Sequence, residues 1–287
     1  TGLIHGSLDS GLGRRCPLRI LVAEDHPVNR KLAMTLLEKM GYQADLAGNG
    51  LEAIRAMESQ CYDLILMDVQ MPEMDGLEAA RQIVRRWPGE ARPVIVAMTA
   101  YASQGDKNSC LESGMQDFLR KPVMKEELQA ILIKWGRVIQ SVRGGRQVSL
   151  EESLAHDAGK GSDDPPSGRL IDMQALRERV DQDQALLHGL LTLFLEECPK
   201  ILERLREAMA AGDYADLHPL SHTLKGMCQN LNVDSMQRAA YALEQRTGGN
   251  HAACETGECL ALLRELEHDF ELLRQELEKE ISAIQTD

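Results

Sequence analysis

Residues 63–76 read DLILMDVQMPEMDG. Within this stretch residues 64–67 form an unbroken apolar run, which Asp68 follows, and the chain then enters a segment with proline and glycine that is typical of a turn. Similar short apolar runs occupy residues 20–23 and 94–98, and amphipathic helical patterns lie between the runs. Strands that are apolar on successive residues are typical of a parallel sheet covered on both faces. Strands alternating with helices therefore predict a doubly wound α/β domain, with weaker strand candidates at residues 42–47 and 115–119.

Polar side chains directly follow the predicted strands. Glu24 and Asp25 follow the first strand, Asp68 the third, Thr99 the fourth and Lys121 the fifth. The carboxyl ends of parallel strands meet at one edge of a sheet, so these groups are expected to lie together. Neighbouring carboxylates repel each other unless a cation lies among them, and oxygen ligands favour Mg²⁺. With that charge balanced, one carboxylate can attack a phosphoryl group while the ammonium and hydroxyl groups stabilise the transition state.

Four motifs carry a resemblance to a response-regulator receiver domain over residues 18–137. They are VAED at 22–25, MDVQMPEMDG at 67–76, AMTA at 97–100 and LRKP at 119–122. The resemblance implies a flavodoxin-like fold, a doubly wound parallel sheet of five strands, with a phosphorylation site at the strand ends.

The resemblance also implies the roles of single residues. Asp68 is the phosphorylated residue. Mg²⁺ is held by Asp25, Asp68 and the main-chain carbonyl of Gln70, with Glu24 acting mainly through water. Lys121 pairs with the phosphoryl group, and its bond to the following proline is cis.

A second group of residues is implied to report phosphorylation to partners. Thr99 moves toward the phosphoryl group, and Phe118 occupies the aromatic switch position and turns inward. If the chain is a regulatory docking module, phosphorylation of Asp68 is expected to switch a docking face near Ala100, Tyr101 and Phe118.

The chain after residue 170 shows helical periodicity and no strand signal. A four-helix bundle with a short leading helix is the expected fold, although the apolar repeat of the last helix could instead form a dimerising coiled coil. The expected helices are Asp172–Val180, Asp183–Ala211, Asp213–Leu231, Val233–Arg246 and Cys254–Ile284.

One histidine in this region stands in a chemically distinctive pattern. His222, Lys225, Gly226 and Gln229 fall on one helical face. Imidazole can accept a phosphoryl group near neutral pH, and Lys225 could balance the phosphate charge. Glycine inside a helix costs about 1 kcal/mol relative to alanine, so Gly226 indicates that an incoming domain needs steric clearance.

This stretch resembles a histidine phosphotransfer (HPt) domain over residues 170–284, which implies that His222 is phosphorylated on its outer ring nitrogen. Asn232 stands where that family usually has glycine, and Pro219 predicts a helix break just before His222. The expected domains are a disordered leader or upstream linker (1–17), the receiver (18–137), a flexible linker (138–169) and the HPt domain (170–287).

Composition restricts the partners and the compartment. The net charge of −13 argues against nucleic acid and against direct contact with an anionic membrane surface. No apolar run reaches the roughly 18 residues that a membrane span needs. The seven scattered cysteines include no C-x-x-C pair, which disfavours zinc and indicates free thiols in a reducing compartment. We therefore expect a cytoplasmic segment, and a membrane-anchored parent protein is compatible with it.

The combined pattern predicts a two-component phosphorelay segment. An upstream histidine kinase domain would phosphorylate Asp68, and His222 would carry the phosphoryl group to or from the aspartate of a response-regulator receiver. A glycine-rich nucleotide-binding motif is lacking, so ATP use is expected elsewhere in a parent hybrid histidine kinase. The alternative is a phosphorylation-switched docking module in which Asp68 and His222 serve different partners.

Overall fold

The computed structural model describes residues 9–99, 104–143, 170–248 and 256–284 of the 287-residue chain. The chain divides into two compact units, an α/β unit and, after residue 169, a helical unit. Within the described residues no helix combines the length and the apolar character that crossing a bilayer requires.

The α/β unit is built on one five-stranded sheet whose strands are all parallel. The order β2-β1-β3-β4-β5 confirms the predicted doubly wound fold. Every residue of β1 and β3 is buried, because helices cover both faces of the sheet. The strands are β1 (Ile20–Ala23), β2 (Ala44–Ala47), β3 (Leu64–Asp68), β4 (Val94–Thr99) and β5 (Asp117–Arg120).

The helices of this unit begin where side chains can cap them. Asn49 accepts a hydrogen bond from the Glu52 amide, and Asp75 accepts one from the Glu78 amide at 2.7 Å. The helices are α1 (Leu12–Arg15), α2 (Pro27–Lys39), α3 (Gly50–Ser59), α4 (Gly76–Arg86), α5 (Gln104–Glu112) and α6 (Lys125–Arg143), with a short 3₁₀ turn at Gly89–Ala91.

Both ends of this unit extend past the limits expected for the receiver. The short helix α1 lies within the predicted leader, where Leu12 is buried and the Gly13 amide donates to the Met40 carbonyl at 2.9 Å. Helix α6 continues to Arg143, six residues past the predicted limit at 137. The remainder of the predicted linker, residues 144–169, lies outside the described residues.

Over residues 170–248 and 256–284 the helical unit shows a short helix followed by four long ones, as predicted. Helix α8 packs on α9, α9 on α10, α10 on α11, and α11 back on α8. The apolar repeat of the last helix, including Leu266, Phe270 and Leu273, is buried in this bundle, so it forms bundle core. The helices are α7 (Met173–Arg179), α8 (Gln184–Ala211), α9 (Tyr214–Asn230), α10 (Asp234–Thr247) and α11 (Thr256–Ile284).

Two local expectations for the helical unit need correction. Helix α9 runs through Pro219, so the predicted break before His222 is wrong. The proline lies early in the helix and removes only the bond to the carbonyl of Ala215, an exposed residue. Cys259 is bonded in a disulfide, whereas Cys16, Cys61, Cys110, Cys198 and Cys228 are thiols as expected.

Asn232, which departs from the expected glycine, occupies a left-handed backbone position with φ of 57°. Asparagine tolerates this conformation better than most residues do. Its side-chain oxygen accepts a hydrogen bond from the Arg179 guanidinium at 2.6 Å. The departure from glycine therefore leaves the turn after α9 intact.

Candidate functional site

Three carboxylates and one ammonium converge at the carboxyl edge of the sheet. Ligand oxygens of Glu24, Asp25 and Asp68 all lie within 4.8 Å of one another. The ammonium Nζ of Lys121 lies 2.6 Å from Glu24 Oε2 and 2.7 Å from Asp68 Oδ2. The parallel strands bring these groups together because each follows or ends a strand at the same edge.

The charges in this cluster do not balance, since three carboxylates share one ammonium. Burial and the neighbouring Glu24 carboxylate raise the pKa of Asp68, although Lys121 opposes this shift. Burial alone would lower the pKa of Lys121, but Asp68 and Glu24 outweigh burial and raise it. Lys121 therefore stays charged, and the cluster has a deficit of positive charge that a divalent cation would fill.

The backbone around Asp68 is held at several points. A Cβ added to Gly76 would lie 2.0 Å from the carbonyl oxygen of Asp68, so only glycine allows this close approach. The Lys121 amide donates to the Thr99 carbonyl at 2.8 Å, which fixes the ends of β4 and β5 together. The Lys121–Pro122 bond is cis, as the resemblance implied.

The structure brings together most of the predicted residues of this site. Glu24 and Asp68 are buried, and Asp25 and Thr99 are half-buried. Gln70 lies beside Asp68, and its amide donates to Asp68 Oδ1 at 3.3 Å. The carboxylate oxygens of Glu24, Asp25 and Asp68 form a ligand set that fits a hard cation such as Mg²⁺.

The predicted switch residues are only partly described. Phe118 on β5 is half-buried and packs against the apolar core of the sheet. Ala100 and Tyr101, predicted for the docking face, lie outside the described residues.

A second cluster surrounds His222 in the helical unit. His222 Nδ1 lies 2.6 Å from Glu244 Oε1, and Lys225 Nζ lies 2.6 Å from Glu244 Oε2. Lys225 is buried, with 2% of its surface exposed, so the ion pair is largely removed from water. Glu244 was not predicted to belong to the site, and it comes from α10, the helix that packs against α9.

The Glu244 contact decides which ring nitrogen of His222 carries the proton. Burial alone would raise the pKa of Glu244, but the bonds from His222 and Lys225 lower it, so the carboxylate is ionised and accepts. A 2.6 Å contact with an ionised carboxylate requires a proton on Nδ1. Lys225 Nζ also lies 3.2 Å from Nδ1, but a protonated Nδ1 cannot accept from it. In the neutral ring the lone pair is therefore on Nε2, the outer nitrogen.

The position of Glu244 is itself fixed through its main chain. The carbonyl oxygen of Glu244 accepts from His218 Nδ1 at 3.1 Å and from Thr247 Oγ1 at 3.1 Å. A sequence signal for Glu244 exists, because it falls four residues after Ala240, on the buried face of α10. A carboxylate on the buried face of an amphipathic helix is expected to have a partner.

The remaining predicted residues of this face lie along α9. A Cβ added to Gly226 would meet no atom of residues 170–248 or 256–284 within 4 Å, so bundle packing does not require glycine there. Gln229 lies near the end of the helix, where Arg179 Nη1 donates to its carbonyl at 3.0 Å and to the Asn230 carbonyl at 2.6 Å. Arg179, from α7, thus satisfies carbonyl groups that the helix end leaves without intrahelical donors.

Comparison with protein families divides the chain in the same way. Residues 20–133 match the response regulator receiver domain, and residues 189–286 match the Hpt domain.

Several curated proteins are similar to most of the chain. The sensor histidine kinase GacS of Pseudomonas protegens is 30% identical over 273 residues, which are 90% of this chain and 26% of GacS. The histidine-protein kinase BarA of Escherichia coli K12 is 30% identical over 257 residues, which are 88% of this chain and 26% of BarA. The chain thus spans about a quarter of the length of these relatives.

Among solved structures, one similar chain is the receiver domain of a sensor histidine kinase from Pseudomonas aeruginosa, and it is 42% identical to this chain in sequence. That domain was crystallised with a magnesium ion coordinated in its active site cleft. The match covers 42% of this chain and 98% of that one, with a TM-score of 0.39.

Proposed function

Because the chain belongs to the receiver and Hpt domain families and is a phosphorelay module, we propose that it passes a phosphoryl group between Asp68 and His222. The observation that carries the proposal is the pairing of two nucleophiles, each beside its own ammonium. Lys121 accompanies Asp68, and Lys225 lies 3.2 Å from His222 Nδ1.

At the receiver site Asp68 is the nucleophile. Its carboxylate oxygen attacks the phosphorus of a phosphohistidine, a P–O bond forms, and the P–N bond breaks as the imidazole leaves. Lys121 is placed to pair with the oxygens of the transferred group, and the Thr99 hydroxyl is suited to donate to them. A Mg²⁺ ion bound by Glu24, Asp25, Asp68 and the Gln70 carbonyl would supply charge that offsets carboxylate and phosphoryl oxygens.

At the helical site His222 is the nucleophile through Nε2. Glu244 accepts a hydrogen bond from the Nδ1 N–H group and orients the ring, which keeps the lone pair on Nε2. The ammonium of Lys225 stays close by and can balance the charge of the phosphorylated ring. Gly226 and Gln229, on the same helical face, would contact the partner domain.

We further propose the partners and compartment of the module. The donor is a histidine kinase domain, the acceptor is a response-regulator receiver, and the module works in the cytoplasm. The sensor histidine kinases among its relatives support these assignments.

The test uses two variants that each keep one nucleophile. Acetyl [³²P]phosphate with Mg²⁺ should label the His222→Gln variant on Asp68 as an acyl phosphate, which alkali releases, and should leave Asp68→Asn unlabelled. Mixing the labelled His222→Gln variant with Asp68→Asn should move the label to His222 as an acid-labile phosphoramidate. Label that stays on Asp68 would contradict the relay and favour a docking module with separate partners. An unlabelled His222→Gln variant would contradict the receiver site itself.

A further inference from the structure

A lysine of α5 lies over the ring at the switch position. Lys107 Nζ is 4.5 Å from the centroid of the Phe118 ring. An ammonium within about 6 Å of an aromatic face is attracted by the negative charge of that face. Among the described residues, the salt bridges do not include Lys107, so no carboxylate of these residues pairs with its ammonium.

The same ring also touches the core of the sheet. Phe118 is half-buried and packs against a cluster that contains Ala97 and Cys110. Cys110 is buried and lies one helical turn after Lys107, so it anchors this part of α5 on the same core. Phe118 is therefore held by apolar contacts and by an ammonium at the same time.

We propose that Lys107 stabilises the half-buried position of Phe118 and so opposes the switch that phosphorylation of Asp68 would drive. The inference rests on the proposed function of Asp68. Turning inward would bury the ring fully and separate it from Lys107, because an ammonium has to remain hydrated. A contact that exists in only one of two conformations shifts the equilibrium toward that conformation.

The expected effect can be measured with beryllofluoride, a phosphoryl mimic, in the presence of Mg²⁺. Loss of an exposed cation–π contact, about 0.5–1 kcal/mol, should tighten beryllofluoride binding by Lys107→Met about two- to fivefold. Lys107→Arg, which keeps the cation, should bind as the wild type does. Arg55→Met removes an exposed charge on α3 and should also leave beryllofluoride binding unchanged. Helix α3 contacts β2, which lies at the edge of the sheet opposite to β5.

Fluorine NMR can follow the ring directly. The chain contains three phenylalanines, and Phe194 and Phe270 lie in the helical unit, so fluorophenylalanine labelling gives one receiver signal. Phe118→Leu assigns that signal. Without beryllofluoride, Lys107→Met should move it toward its beryllofluoride-bound position, and Lys107→Arg should not.

The outcomes separate this inference from the function beneath it. If wild type binds beryllofluoride, Asp68→Asn does not, and Lys107→Met matches wild type in affinity and in the Phe118 signal, the Lys107 inference is overturned alone. Weaker binding by Lys107→Met also overturns it. If wild type fails to bind beryllofluoride with Mg²⁺, both the Lys107 inference and the receiver site are overturned.

Discussion

Replacing Glu244 with glutamine should slow phosphotransfer at His222 without unfolding the bundle. The carboxylate makes two contacts of 2.6 Å, one with His222 Nδ1 and one with Lys225 Nζ. A glutamine amide has one oxygen and one NH₂ group, so it cannot accept from both. Lys225 is buried and can only donate, so the amide oxygen should turn toward it and the NH₂ group toward Nδ1.

An NH₂ group facing Nδ1 selects the wrong tautomer of His222. Nδ1 then has to accept, the proton moves to Nε2, and the outer nitrogen loses its lone pair. A hydrogen bond to a charged group contributes about 1.5–3 kcal/mol, and each 1.4 kcal/mol corresponds to a factor of about ten. We therefore expect the transfer rate constant to fall by about 10- to 100-fold.

The assay uses the labelled His222→Gln variant as donor and Asp68→Asn, with or without Glu244→Gln, as acceptor. The rate at saturating acceptor should fall, while the concentration for half-maximal rate should change little, because docking is preserved. The ¹⁵N chemical shifts of His222 should report the change of tautomer. Glu258→Gln is the matched control, since this exposed glutamate pairs with Arg246 on the surface. A wild-type rate in the Glu244→Gln acceptor would refute the role assigned to Glu244.

Three further predictions concern stability. Gly76→Ala should destabilise the α/β unit by about 3 kcal/mol and abolish labelling by acetyl phosphate, because its Cβ would lie 2.0 Å from the Asp68 carbonyl oxygen. Denaturant titration followed by tryptophan fluorescence checks this, since both tryptophans of the chain lie in this unit. An unfolding midpoint equal to that of the wild type would contradict it. Arg179→Met should lower the free energy of unfolding of the helical unit by about 2–4 kcal/mol, since it removes donors from the carbonyls of two residues at the end of α9. Amide hydrogen exchange in α9 should then become faster, and unchanged protection would count against this role of Arg179. The lowered pKa of Glu244 means that its ionised form stabilises the folded bundle above the ordinary glutamate pKa, and that this contribution is lost as pH falls through the lowered value. The protection of α10 amides against hydrogen exchange, taken relative to the intrinsic exchange rate at each pH, should therefore fall more steeply with acid in wild type than in Glu244→Gln, and equal slopes would argue against it.

The receiver site was predictable because each of its groups is attached to a strand end. Glu24, Asp68 and Thr99 directly follow or end apolar runs in the sequence, and a parallel sheet places all such positions at one edge. Helical spacing located His222, Lys225 and Gly226, because residues three and four positions apart share one face of a helix. In these cases local pattern and fold class together fix which groups meet.

Contacts between separate helices could not be predicted in the same way. Glu244 reaches His222 from a helix that begins after the next turn, and Arg179 reaches the end of α9 from a helix about 50 residues earlier. Pro219 was expected to break α9, yet the helix continues because the one bond lost is to the carbonyl of Ala215, an exposed residue in the first turn.

The sequence by itself therefore predicted the fold of both domains, the strand-end cluster and the helical face that His222 shares with Lys225, since periodicity and motif order act within one element or one sheet. Only the tertiary structure decided which nitrogen of His222 carries the proton, that Lys225 pairs with Glu244, and that the Lys107 ammonium lies over the Phe118 ring. These choices depend on distances of a few ångströms between side chains from different elements. Such distances are set by how the elements pack, and spacing along the chain does not specify them.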